Sequence, residues 1–367
     1  TTGIRNTLVG GLAGDAITSG DNNIAIGYAA MTTNTLGDRN VAIGNEALEA
    51  FNITTTTDSY NVAVGFQAGH TMTTGVQNTL VGSLAGDALI DADYNVAIGR
   101  SALSADTYGS RSVAIGQESL STQNFTTATD AYNVGVGFYA GKSVTTGTLN
   151  TLIGSSAGAA ITTGVQNTIV GSQAGDALSD ADFNIAIGTD ALTADTKGSR
   201  SIAIGRRTLY AQNFTTSTDA YNTAVGFEAG NDITTGINNT LVGALSGDAL
   251  IDADYNVAVG YGSLSADTYG SRSTALGYSA LNAQNFTTAS TVYNVAVGYN
   301  AGGNISTGAE NTIIGGQAGD ALTTGASNVA VGYSALSTED AHGKNTAIGY
   351  KVLEAQNAGA DGYNVGI

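Results

Sequence analysis

A glycine-closed pentapeptide, typified by Asn61-Val62-Ala63-Val64-Gly65, recurs twenty times along this 367-residue chain. Its glycine falls at positions 10, 27, 44, 65, 82, 99, 116, 137, 154, 171, 188, 205, 226, 243, 260, 277, 298, 315, 332 and 349. The spacing is 17, stretched to 21 only from 44 to 65, 116 to 137, 205 to 226 and 277 to 298. A fixed short period marks a solenoid, in which each repeat buries its apolar side against its neighbours. The expectation is a single repeat domain spanning 1–367, all-β, of about twenty coils.

Positions are counted here from the motif glycine as 0. Position −4 is Asn in seventeen copies and Ser in three (Ser112, Ser201, Ser273), −3 is always β-branched, and −1 is aliphatic. Alternating β-branched residues closed by glycine read as a short strand ending in a tight turn. Position −2 is Ala in thirteen copies, Leu or Ile in six, and Gly135 once. It points away from −1 and −3, so both strand faces are apolar and both need cover. One face packs inside the coil of its own chain, and the other calls for further copies of that chain. The Asn row at −4 is either a ladder of stacked amides or a row of plain turn residues.

Beyond the glycine, +3 is mostly Ala and +4 is Gly or Leu, with Met31 once. The order of Gly and Leu at +4 defines blocks of about four coils, each ending in a long coil near 49–60, 121–132, 210–221 or 282–293. Two short strands and two turns per 17 residues predict a flattened parallel β-roll. At ~4.8 Å per coil, twenty coils would extend roughly 95 Å. Both termini fall inside a repeat, so the chain is expected to be a fragment of a longer fibre protein.

Composition narrows the function classes. Twelve basic against thirty acidic residues, a net charge of −18, repel phosphate backbones and speak against nucleic-acid binding. No apolar run is long enough to span a bilayer, so no membrane insertion is expected in this segment. With no Cys and only two histidines, His70 and His342, set singly in turns, a nucleophilic triad or a zinc site has little to be built from. The expectation is a non-enzyme without a cofactor.

At Asn95-Val96-Ala97-Ile98-Gly99, followed by Ala102-Leu103, the chain resembles the head repeats of trimeric autotransporter adhesins, which are similar to repeats in long phage tail-fibre proteins. The resemblance covers essentially the whole chain, although the 17-residue coils and the Asn-Phe-Thr-Thr loops depart from the family pattern. It implies a left-handed β-roll, a homotrimer with the aliphatic strand near the axis, and an extracellular setting as a cell-surface appendage or virion tail fibre. The function so implied is a rigid fibre segment serving attachment. The alternatives are an adhesin head that binds a host protein or surface glycan directly, and a secreted filament that polymerises end to end.

Candidate sites are few. Asp87, Asp91 and Asp93 recur as Asp176, Asp180, Asp182 and as Asp248, Asp252, Asp254. Such carboxylates on one turn are either a Ca²⁺ site or solvated acids serving local backbone donors. Asp106 to Arg111, Asp195 to Arg200 and Asp267 to Arg272 repeat an Asp-Thr-(Tyr/Lys)-Gly-Ser-Arg motif whose arginine is expected in structural ion pairs. The long coils are expected to bulge and offer surface contacts through Asn124, Phe125, Tyr132, Asn213, Phe214, Tyr221, Asn285, Phe286 and Tyr293. Such loops act either as a multivalent binding surface or as clasps between neighbouring chains.

Overall fold

The computed structural model describes residues 2–357 and 359–367, and every regular element in it is a strand. Each motif forms a three-residue strand at −3 to −1, from Thr7–Val9 to Thr346–Ile348, and Val365–Gly366 begins one more. The chain is a parallel β-solenoid divided into two compact units, Thr1–Phe183 and Asn184–Ile367. In the first unit, Val62, Ala63 and Val64 pair in parallel with Thr79, Leu80 and Val81. In the second, Thr223, Ala224 and Val225 pair the same way with Thr240, Leu241 and Val242. Like positions therefore stack into rows within each unit.

The rows settle which strand face looks inward. Beyond Leu8 of the first coil, position −2 is fully buried within the coil, as at Ala63, Leu80, Ala203 and Leu241. Positions −3 and −1 point outward and stay half-buried or exposed.

The expected second strand of each coil is not there. Its place is taken by the stretch after the glycine, in which +2 and +4 are left-handed: Glu46 and Leu48 have φ of 58° and 50°, Gln67 and Gly69 have 54° and 61°. An alternating backbone of this kind is not extended, yet it still ladders from coil to coil. Gln67 N donates to Asn45 O at 2.9 Å, and Gly69 N to Ala85 O at 3.0 Å. A left-handed L-residue costs about 1–2 kcal/mol, which burial of a leucine side chain, worth about 1.5–3 kcal/mol, offsets. Among the described residues a short second pairing exists only beside the long coils, as between Gly109–Ser110 and Thr129–Asp130 or Gly198–Ser199 and Thr218–Asp219.

Core volume explains the Gly/Leu blocks. Where −2 is Leu or Ile, +4 is Gly, because a Cβ at Gly86 would lie 2.9 Å from Leu80 Cδ2 and one at Gly247 2.8 Å from Leu241 Cδ2. Where −2 is Ala, a leucine at +4 (Leu103, Leu264) fills the space instead. In other coils a neighbour intrudes: a Cβ at Gly69 would meet Leu80 Cδ1 from the next coil at 2.8 Å. Total volume is held constant while its source alternates, as close packing requires.

The −4 row is a buried ladder. Asn78 N donates to Asn61 Oδ1 at 3.0 Å, Asn95 N to Asn78 Oδ1 at 2.9 Å, and Asn78 Nδ2 to Ala92 O at 2.7 Å. Each side chain thus satisfies a backbone amide and a backbone carbonyl that the coil buries.

A second buried row carries a pH signature. Asp87, Asp248 and Asp320 at +5 each hold one carboxylate oxygen that is buried without a hydrogen-bond partner. Burial raises all three, Asp248 to about 6, with Asp232 and Glu228 adding to its rise. A folded-state value above the unfolded one favours the protonated fold. Its stability contribution is present below about pH 3.8 and is lost as pH rises through about 6. The melting temperature is therefore expected to rise from pH 7.5 to pH 5, and Asp248→Asn to flatten part of that rise. A melting temperature that falls across this interval would count against the assignment.

Candidate functional site

The outward side of the strands stays half-buried or exposed within the chain. Its rows at −3 and −1 are Val, Ile and Thr throughout, apart from Leu276. In a single chain Ile98, Ile115, Ile153 and Ile187 remain more than a third exposed. The +1 row widens the strip with aromatic residues. In the second unit Tyr261, Tyr278 and Tyr299 stack in sequence, ring centroids 5.5 and 5.4 Å apart, and Tyr333 stacks on Tyr350 at 5.8 Å. These rings are about half exposed or more, with Tyr299 at 60%.

The other rim of the strip is the −5 row, all of it left-handed, where Arg and Tyr of neighbouring coils meet beside the long coils. Arg111 lies over Tyr94 at 4.8 Å and Tyr132 at 5.9 Å, and its Nε binds Asp130 Oδ1 at 2.8 Å. Arg200 repeats this with Tyr221 and Asp219, and Arg39 with Tyr60 and Asp58. Arg272 stacks on Tyr255, in a coil pair where Thr291 stands in place of the aspartate. The structural ion pairs expected of Arg111 and Arg200 are present, with a cation–π contact on top. Exposed pairs of this kind add about 1 kcal/mol or less each.

The acids proposed for Ca²⁺ are spent on brackets between coils. Asp93 Oδ1 accepts from Val76 N, Asp182 Oδ1 from Val165 N and Asp254 Oδ1 from Ile237 N, all at 2.8 Å. Asp91 and Asp252 accept from Thr74 Oγ1 and Thr235 Oγ1, and Asp180 from Ser179 Oγ. Asp87 and Asp248 sit in the half-buried row already described, and the Asp176 carbonyl accepts from Ala160 N at 3.0 Å. Asp91 and Asp93 thus serve different donors, as do Asp252 and Asp254.

Of the loop residues, the phenylalanines are a correction. Phe125 and Phe214 are 7% and 6% exposed, and Phe286 is half-buried. They plug the open side of the long coil, because an apolar ring gains more there than in water. Tyr132, Tyr221 and Tyr293 are about half exposed on the −5 rim, and Asn124 and Asn213 are exposed while Asn285 is half-buried. The exposed tips are Thr126-Thr127-Ala128, Thr215-Thr216-Ser217 and Thr287-Thr288-Ala289.

Sequence reasoning missed what anchors these loops. Asp106 is fully buried, and its Oδ1 accepts from Gly109 N at 3.0 Å and Phe125 N at 3.1 Å. Its Oδ2 accepts from Gln123 Nε2 at 2.6 Å; Gln123 Nε2 also reaches Ser112 Oγ, and Gln123 Oε1 accepts from Asn133 Nδ2. Burial raises the Asp106 carboxyl against the lowering effect of these donors. The same clasp recurs with Asp195, Gln212, Ser201 and Asn222, and with Asp267, Gln284, Ser273 and Asn294. The signal was present: Ser replaces Asn at −4 in those coils because the glutamine amide occupies the missing ladder step.

No family model and no curated protein matches this chain. No helix of the described residues is long and apolar enough to cross a membrane.

Proposed function

We propose that this chain is a non-catalytic structural segment of an extracellular or virion fibre, in which copies associate through the outward strand face. The observation that carries the reading is the unbroken aliphatic row at −1, beside a β-branched row of Val, Ile and Thr at −3 and flanked in places by aromatic residues at +1. A strip from −5 to +1 offers on the order of 100 Å² per coil, given ~3.3 Å per residue and ~4.8 Å between strands. The ten coils of one unit thus present on the order of 1,000 Å², above the ~800 Å² per partner of a standard interface. Exposed Val, Ile and Tyr side chains gathered in one strip mark an interaction surface in soluble chains. The resemblance to trimeric adhesin heads adds the number three and the left-handed sense. Attachment, in this reading, falls to the exposed Thr-rich tips, where a host protein or surface glycan would make contact.

Light scattering of the purified chain is expected to give three times its 36.6 kDa mass. The pair Ile98→Asp and Ile115→Asp places charge on the outward row only, so it is expected to yield monomers with an unchanged β-type circular dichroism spectrum. A wild-type chain that is monomeric at micromolar concentration would sink the proposal.

A further inference from the structure

We infer that Glu46, Glu49 and His70 form a site for a divalent transition-metal ion of the Zn²⁺ class. The two glutamates occupy +2 and +5 of one coil, and Gln67 and His70 occupy the same two rows of the next. His70 Nε2 lies 2.7 Å from Glu49 Oε2 and 3.9 Å from Glu46 Oε2. One donor atom from each residue falls within 4.8 Å of the others. Tetrahedral zinc with bonds of about 2.0–2.1 Å needs ligand atoms ~3.3 Å apart. The two imidazole–carboxylate distances bracket that value.

The backbone under the site is held before any ion arrives. Leu48 N donates to Ala68 O at 3.0 Å, Ala50 N to His70 O at 3.1 Å, and Gln67 N to Asn45 O at 2.9 Å. Glu46 Oε2 also accepts from Gln67 Nε2 at 2.7 Å, which orients it as an outer partner orients a metal ligand.

The second observation is a comparison within the molecule. At the next long coil, the same rows set Glu118 against Lys142 at 3.0 Å, with Arg100 at 2.6 Å. At the third, Glu228 faces Arg207 at 3.3 Å and Arg206 at 3.7 Å. There a single carboxylate meets permanent cations. At Glu46 and Glu49 two carboxylates meet one imidazole, which leaves net negative charge whatever the imidazole's protonation. Asp87, next after His70 in the +5 row, adds a third carboxyl, one oxygen of which is buried without a partner. Two carboxylates and an imidazole suit zinc, nickel or copper better than calcium or magnesium, which prefer all-oxygen shells.

The full-length chain should be titrated with Zn²⁺ by calorimetry in a His342→Ala background, because Glu339, Asp340 and His342 make a second, smaller-reach cluster. One Zn²⁺ per chain is expected, with Mg²⁺ giving no heat. Adding either His70→Ala or Glu49→Gln should weaken binding by more than about 100-fold, since even outer partners of metal ligands are worth about 10- to 100-fold. Circular dichroism of each variant checks that the coils remain. Absence of Zn²⁺ binding in the His342→Ala chain, or binding that survives both further substitutions, would overturn the site.

Discussion

Gly298→Ala is expected to unfold the coils around it, with a loss of about 3 kcal/mol or more in urea denaturation. Gly298 has φ of +136°, a region that residues with a Cβ occupy only under strain. An added Cβ would also stand 2.6 Å from the carbonyl carbon of Gly315 and 2.7 Å from its oxygen. That obstacle is backbone, locked in the next coil by its own ladder, so it cannot rotate aside as a side chain would. Gly316→Ala is the control. Its φ lies outside the left-handed region, and its Cβ would meet only the Tyr333 ring, at 3.6 Å. Stability within about 0.5 kcal/mol of the parent is expected there. Because a solenoid is stabilised by nearest neighbours, damage at Gly298 should appear as local opening under hydrogen exchange before global loss. Equal midpoints for the two variants would refute the account of the motif glycine.

Gln212→Leu is expected to be the costliest substitution of a side chain outside the apolar core, at about 3 kcal/mol or more near neutral pH. Gln212 Nε2 donates to Asp195 Oδ2 at 2.6 Å and to Ser201 Oγ at 3.0 Å, while its Oε1 accepts from Asn222 Nδ2 at 2.9 Å. Leucine fills the space but takes a partner from each of the three, although Asn222 Nδ2 still donates to Gly236 O at 2.7 Å. The Asp195 carboxylate keeps the backbone amides of Gly198, Phe214 and Lys197, the first two at 3.0 and 3.1 Å, in a fully buried position and loses its side-chain donor. Burial already raises Asp195, and removing the Gln212 hydrogen bond that most opposes it raises it further. With the folded value raised, the protonated fold is favoured and stability is lost as pH climbs through that value. Acid should therefore rescue the variant, so the gap to the parent narrows from pH 7.5 to pH 5. A gap independent of pH would show that the loss comes from packing and not from the stranded carboxylate.

Much of the architecture was legible beforehand, and the reasons are local. Glycine at 0, β-branched residues at −3 and aliphatic residues at −1 restrict backbone conformation at each position without help from the rest of the fold. Their repetition at 17 residues then dictated parallel, in-register stacking. The arginines of the Asp-Thr-X-Gly-Ser-Arg motif were expected in ion pairs because acids were abundant and cations scarce; that holds for Arg111 and Arg200, whereas Arg272 meets Thr291 in place of an aspartate and, among the described residues, has only its stacking on Tyr255. The second strand was misjudged because periodicity does not report the sign of φ. Glu46, Leu48, Gln67 and their equivalents are ordinary L-residues held left-handed only by the coils above and below. The phenylalanines of the long coils were placed outside because their neighbours are polar. Phe125 and Phe214 turn inward because the extra four residues leave a gap in the coil that a ring fills.

The sequence by itself determined the repeat, its period, the parallel strand and the need for cover on two faces. Each of these follows from residue chemistry at fixed spacing. Only the tertiary structure decided that −2 faces the core and −1 faces out, that asparagine forms a ladder, and that Asp195 and Gln212 meet inside. Those outcomes rest on volume and hydrogen-bond partners supplied by the next coil. A leucine at −2 fits only because the +4 residue beside it is glycine, and that adjacency exists in space before it can be read in the chain.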